Sequence, residues 1–352
     1  MKNKRMTIHR IAELAGVNAS TVSRVFNPNC RNSISAPVSQ KILAIAEKYE
    51  YAPKNSARSL ACGQSFNLGI LLHDLERDFT SPAYSLVISE FCREAVRHGY
   101  QAVLLPVENG NFDQGTARHI RGGNADAYLA GYPLMGTESM QELKKRNIPV
   151  VSYISDKLWD SSSLRGSVVY LDNAPAFEQM FTTVREYGFS DFALFCPEGK
   201  FNSSRFVFYE QYHSYGLNLK ERILFKAESS PMLLLERART AAKAQIKRIL
   251  KHQLIICSTD LVALGLCAAL HEAGITPGKE ISVIGYDNIE ENPAFHCAEA
   301  PFLATIAKDD ARAGAEMVRL LLRQLKNSDS KFEPEELPLP ARFIARASLG
   351  RV

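Results

Sequence analysis

The sequence predicts a multidomain chain, with a small all-α head of three helices followed by two α/β lobes built on parallel sheets. Three observations carry this expectation. The 352 residues are 46% hydrophobic, enough for two or three full cores at about 100–200 residues per domain. Charge divides by position: residues 1–63 hold ten Lys or Arg against three acids, net +7, and the remainder holds 32 against 35, net −3. Helical spacing organises the first 50 residues, whereas from Phe66 onward short apolar runs alternate with helical stretches.

Composition also excludes classes. No apolar run reaches the roughly 18–20 residues that span a bilayer, and the candidate at Leu261–Leu270 is bounded by Asp260 and His271. Met1, Lys2, Lys4 and Arg5 lead into no apolar segment, so no secretory signal and no membrane partner are expected, and the expected compartment is the cytoplasm. Seven cysteines, an odd and scattered number without C-x-x-C, argue against a disulfide framework and a zinc site. No metal, cofactor or catalytic residue is expected.

In the head, Ile8, Ile11, Ala12 and Ala15 recur at i, i+3, i+4 and i+7, one buried helical stripe. Gly16 ends that helix and Asn18 can cap a second. There Val22, Val25 and Phe26 point inward, leaving Ser20, Ser23, Arg24 and Asn27 on the opposite face. Ser35 is expected to cap a third helix that tolerates Pro37 in its first turn and buries Val38, Ile42, Ile45 and Tyr49. Two helices joined through a tight glycine turn and braced by a third form a helix-turn-helix unit. Small hydroxyls and a guanidinium can approach a groove floor and donate to base edges and phosphates. The charge asymmetry alone fits a solvated face equally well; the tight turn beside it favours nucleic acid.

The stretch T7-I-H-R-I-A-E-L-A-G-V-N-A-S-T-V-S-R-V-F-N27 resembles the opening motif of the lactose/galactose repressor family of bacterial transcription factors, and Y51-A-P-K-N-S-A-R-S-L60 resembles that family's hinge segment. The resemblance implies that Ala19, Ser20 and Arg24 face bases in the major groove of operator DNA. Thr7, Thr21, Ser23 and Asn27 would then hold phosphates. It also implies that Asn55, Ala57, Arg58 and Leu60 belong to a hinge helix at the minor groove, with Leu60 wedged between base pairs. Asn55–Leu60 is too short to be a stable helix alone, so it should order only against a partner; the alternative for Leu60 is an ordinary linker leucine. Two departures stand out: Lys54 replaces the usual Asn, and the loop Pro28–Ser33 is about two residues longer than usual.

The body alternates strand candidates at Asn67–His73, Ala102–Pro106, Ala127–Ala130, Val150–Tyr153, Val168–Leu171, Ala193–Cys196, Leu254–Cys257 and Ser282–Gly285 with helices at Ala83–His98, Glu138–Arg146, Ala174–Tyr187, Met232–Lys251 and Leu261–Ala273. This rhythm implies right-handed βαβ units, and a break near residue 160 suggests two lobes. The resemblance implies a two-lobed fold like that of periplasmic sugar-binding proteins. The expected boundaries are a head at 1–52, a hinge and linker at 53–65 and an effector-binding and dimerisation domain at 66–352. Within that domain the N-lobe is expected at 66–158 and 301–328, and the C-lobe at 159–300 and 329–352.

Ligands of open α/β lobes sit beyond the carboxyl ends of strands. Asp260 and Asp287 follow two such strands, Arg205 follows a third, and Tyr84 offers an apolar wall with a polar tip. The resemblance maps Ser81, Tyr84, Arg205, Asp260 and Asp287 to effector contacts, although taken singly each aspartate is more often a helix cap. Ser81, Thr259 and Phe208 stand where the family usually has Asn, Asn and Gly, which changes the hydrogen bonding and volume of the cleft. The implied protein is a homodimeric regulator, expected to be a repressor. It would bind a palindromic operator under control of a small carbohydrate-like effector. The alternative is a cytoplasmic sugar-binding or sugar-acting protein with an accessory DNA-binding head; no phosphate-binding G-x-x-x-x-G-K-[ST], G-x-S-x-G or H-E-x-x-H supports it.

Overall fold

The structure is a computed structural model and describes residues 6–26, 34–51, 63–72, 74–107, 111–131, 137–154, 166–198, 210–226, 233–292, 301–326 and 334–352. Asn27, the loop Pro28–Ser33, Lys54, Asn55, Ala57, Arg58, Leu60, Arg205 and Phe208 lie outside the described residues. Among the described residues no helix is long and apolar enough to cross a membrane.

The head holds α1 (Ile8–Ala15), α2 (Ala19–Phe26) and α3 (Ala36–Lys48). Their shared core is Ile11, Ala12, Ala15, Val22, Val25, Ile42 and Ala46, the stripe expected on the first two helices. On α3 the inward stripe is rotated from expectation: Ser39, Ile42 and Ala46 are buried, Val38 and Ile45 are half-buried, and Tyr49 is 42% exposed. Tyr51 takes the closing role instead, its ring edge-on to Phe26 at 5.8 Å. Ser35 occupies the cap position of α3, but its side chain makes no capping hydrogen bond.

The first lobe is a six-stranded parallel sheet of β1 (Asn67–Leu72), β2 (Gln101–Pro106), β3 (Ala127–Ala130), β4 (Val150–Ile154), β5 (Ser167–Asp172) and β11 (Glu336–Pro340), in the order β11-β5-β4-β3-β1-β2. The second has the order β12-β10-β9-β8-β6-β7, using β6 (Asp191–Pro197), β7 (Asn218–Phe225), β8 (Leu254–Cys257), β9 (Ser282–Asp287), β10 (Ala304–Ala307) and β12 (Arg342–Ile344). Only β12 runs antiparallel there. Strands β3, β4 and β8 are buried along their whole length, as sheets covered on both faces require.

Helices cover both faces of each sheet. In the first lobe α4 (Leu75–Thr80) leads into α5 (Pro82–Arg97), while α6 (Phe112–Arg121) and α7 (Thr137–Arg146) follow β2 and β3. The second lobe carries α8 (Ala174–Glu186), α9 (Leu234–Ala244), α10 (Ile246–Ile249) and α11 (Asp260–Glu272). The last helix, α12 (Asp310–Lys326), returns to the first lobe, where Met317, Val318 and Leu321 join Val87, Phe91 and Leu68 in one core.

The lobe boundaries are corrected. β5 pairs with β4 in the first sheet, so 167–172 lies in the N-lobe and not in the C-lobe. β10 pairs with β9 in the second sheet, so 301–307 does not open the return to the N-lobe. β11 pairs with β5 in the first sheet, so the N-lobe does not end at 328. Among the described residues the chain therefore crosses three times, at Asn173, at Lys308–Asp309 and at Ala341. Apolar runs mark strands but carry no information about which sheet a strand joins, so sequence spacing alone puts the crossings at loops rather than after β5, β10 and β11. The crossings touch: Ala341 N–H donates to the Asp172 carbonyl at 2.9 Å.

Candidate functional site

Two regions of the fold present polar groups outward from a fixed apolar frame. The first is the head. Thr7 caps α1, its Oγ1 accepting from Arg10 N–H at 3.3 Å, and the hydroxyl proton stays available to a further acceptor. Gly16 ends α1 at φ +71°, a left-handed angle that only glycine adopts without cost. Val17 N–H then donates to the Ala12 carbonyl, and the Asn18 carbonyl receives Thr21 and Val22 N–H, starting α2 within three residues of the end of α1. This places Val22 and Val25 inward and leaves Ser20, Ser23 and Arg24 exposed, with Ala19 and Thr21 half-buried at the edge. Among the described head residues the exposed Glu13 is paired with Arg10; no acid lies on α2.

The second region lies where the lobes meet. Ser81 caps α5 by accepting from Tyr84 N–H at 3.4 Å, so the serine in place of the family's asparagine keeps a capping oxygen. Thr259 does the same for α11, accepting from Val262 N–H at 3.4 Å. Tyr84 packs half-buried against the first-lobe core, its hydroxyl beside Gly131 at the end of β3. The Pro82 carbonyl of the first lobe accepts from Asn292 Nδ2 of the second at 3.1 Å.

Asp260 and Asp287 are neighbours, but they do not offer paired acceptors to a cleft. Asp260 is fully buried; one carboxylate oxygen accepts from the Thr305 hydroxyl at 2.7 Å and the other from Ile289 N–H at 2.9 Å. Burial, and then the charge of Asp287, push its pKa from 3.8 up to about 7. In this arrangement both oxygens bind the second lobe itself. Gly285 makes this possible, because a β-carbon there would collide with the Asp260 carboxylate.

Asp287 faces the crossing. Its φ is +122°, an angle that non-glycine residues hold only at a cost of about 1–3 kcal/mol and only when neighbours fix it. Those neighbours are identifiable. Asn288 N–H donates to Thr305 Oγ1 at 3.3 Å, and the Asn288 side-chain oxygen accepts from Arg346 at 2.7 Å. The Asp287 carboxylate meets Lys308 Nζ at 2.7 Å. Lys308, Asp310, Tyr153, Asn173 and Asn292 were missed at the level of sequence. The one available signal was a charged pair, Lys308-Asp309, breaking the boundary between an apolar strand and a helix.

Two family profiles match the chain: "Bacterial regulatory proteins, lacI family" over residues 7–54 and "Periplasmic binding protein-like domain" over residues 182–349. The HTH-type transcriptional repressor PurR of Vibrio atlanticus is 28% identical over 92% of this chain and 93% of its own length. The head thus matches the lacI family of bacterial regulatory proteins, and the second lobe matches the periplasmic-binding-protein-like domain. The regulator AglR of Rhizobium meliloti is 24% identical over 98% of the chain and 94% of its own. Among solved structures, a lac repressor dimer bound to operator and the anti-inducer ONPF matches at TM-score 0.73 and 20% identity, covering 98% of this chain and 99% of that one. A CelR–cellobiose complex matches at TM-score 0.63 and 19% identity, covering 98% and 100%. These structural likenesses bear on the fold, and it is the expected one: a helix-turn-helix head and two periplasmic-binding-protein-like lobes. The protein is a DNA-binding transcriptional regulator.

Proposed function

We propose that this regulator is a repressor that binds a palindromic duplex as a homodimer and responds to a small carbohydrate held between its lobes, acting by binding and not by catalysis. The observation that carries the reading is the outward face of α2, where Ser20, Ser23 and Arg24 stand exposed on a helix whose other side is locked into the head core. Arg24 and Ser20, with Ala19 as an apolar contact, read base edges; Thr7, Thr21, Ser23 and Asn27 hold phosphates; Asn55, Ala57, Arg58 and Leu60 engage the minor groove. Ser81, Tyr84, Arg205 and Asp287 contact the effector, with Asp260 behind them. The structural neighbours named as bound to operator and to cellobiose support the partner classes.

Binding to a library of genomic duplexes tests the DNA half. A specific palindromic site is expected, with log affinity falling linearly in log salt at about 0.9 per neutralised phosphate. Arg24→Ala is expected to cost about 1–3 kcal/mol at its base position and to relax specificity there. No specific duplex at low salt would overturn the reading. A thermal-shift screen of sugars and sugar derivatives tests the effector half, since a ligand selective for the native state raises the midpoint.

A further inference from the structure

Lys308 sits on the second crossing between the lobes with its side chain only 7% exposed. Its ammonium lies 2.7 Å from Asp287, at the end of β9 in the second lobe, and 3.6 Å from Asp310, the first residue of α12 on the first lobe. Asp310 is in turn held by the Tyr153 hydroxyl on β4 of the first lobe, at 2.5 Å. The face of Tyr286, on β9, lies 5.5 Å from the ammonium, and the Tyr286 hydroxyl donates to Asn173 on the first crossing at 2.8 Å. One cation therefore joins a carboxylate from each lobe, and its surroundings tie two of the three crossings together. Burial opposes a charge on Lys308, but Asp287 and Asp310 outweigh it and hold its pKa above the ordinary lysine value.

We propose that Lys308 is a built-in latch between the lobes, its ammonium bridging Asp287 and Asp310 so that the chain holds one lobe arrangement with no ligand bound. The physical argument is charge balance. Without the ammonium, two carboxylates fixed to different lobes would face each other in a site with little solvent, and like charges at such range repel strongly. With it, their repulsion becomes a bridge. Lys308 is a positioning residue: it orients Asp287, and where Asp287 binds effector as proposed above, an incoming hydroxyl must share or displace the ammonium. The regulatory consequence rests on that reading; the latch itself does not.

Interlobe distance in the full chain tests the latch without DNA or ligand. Spin labels attached through azide-bearing residues replace Val96 in the first lobe and Leu250 in the second, both exposed. At pH 8 the labelled parent, diluted into excess unlabelled chain so that a dimer carries one labelled copy, is expected to give one narrow distance distribution. Lys308→Met should broaden it and shift its mean by several ångström. The double variant Lys308→Met/Asp310→Asn, which removes one of the facing carboxylates, should return it toward the parent, a rescue that mere loss of packing would not give. Lys308→Arg should keep the narrow distribution. If Lys308→Met does not fold, Asp310→Asn alone carries the test and should broaden the distribution. A folded Lys308→Met with the parent distribution, a double variant no narrower than the single one, or an unchanged Asp310→Asn in the fallback case would overturn the latch. Failure of the chain to bind any duplex would overturn the DNA reading and leave this measurement intact.

Discussion

Asp260 and Asp287 follow neighbouring strands and differ in what surrounds them. Asp260 is sealed under Thr305 and the Ile289 amide, with its pKa raised to about 7, first by burial and next by Asp287, whereas the unfolded chain has an ordinary aspartate near 3.8. Between about pH 4 and 7 the folded protein therefore retains a proton that the unfolded chain has released. The sign follows: this group favours folding most at the acidic end of that window, and its contribution falls as pH rises through it. Asp310, also raised by burial, acts in the same direction. Asp260→Asn keeps an acceptor for the Ile289 amide and removes the titration. Denaturation midpoints measured from pH 5 to 8 should then decline less steeply in the variant than in the parent; parallel curves would assign the slope to other groups.

At the scale of elements, the turn between α1 and α2 sets the head. Gly16 at φ +71° has nothing near its α-carbon that would block a side chain, so the cost of Gly16→Ala is conformational, about 1–2 kcal/mol. Because the head has its own small core, that loss should appear as faster amide exchange in α1–α3 with the lobe amides unchanged; a uniform change across the chain would contradict separate head stability. Other elements were less legible. β7 alternates buried and exposed positions, with Lys220 and Arg222 outward, because it is an edge strand covered on one side, and so it lacks the continuous apolar run of β8. The helix expected over Met232–Lys251 is broken at Gln245 into α9 and α10, and the Gln245 side chain donates to the Leu224 carbonyl of β7, a tertiary bond that periodicity does not encode.

At the scale of the molecule, the first lobe receives the chain from the head through a clamp. Asp126 accepts from Ser65 N–H at 2.7 Å, the Ser65 hydroxyl at 2.9 Å and Phe66 N–H at 2.8 Å, with Phe66 at φ +55°. The end of the linker is thereby fixed to the first lobe. Asp126→Ala is expected to leave duplex binding within a few fold of the parent while reducing the change in affinity caused by an effector found in the thermal-shift screen. A full effector response in the variant would show that coupling does not depend on the clamp.

The sequence by itself determined the head with its tight turn and outward polar face, most strands and helices of the lobes, and the resemblance of the head to the lacI family. These are written in local spacing, in the residues that cap and break helices, and in motifs whose members are near neighbours in the chain. Only the tertiary structure decided where the chain crosses between lobes, which aspartate is sealed and which faces the crossing, and that Lys308 stands between Asp287 and Asp310. Those facts depend on residues brought together from distant positions, such as Asp260 with Thr305 or Tyr153 with Asp310. Strand pairing and burial set them, and neither is a property of any short stretch of sequence.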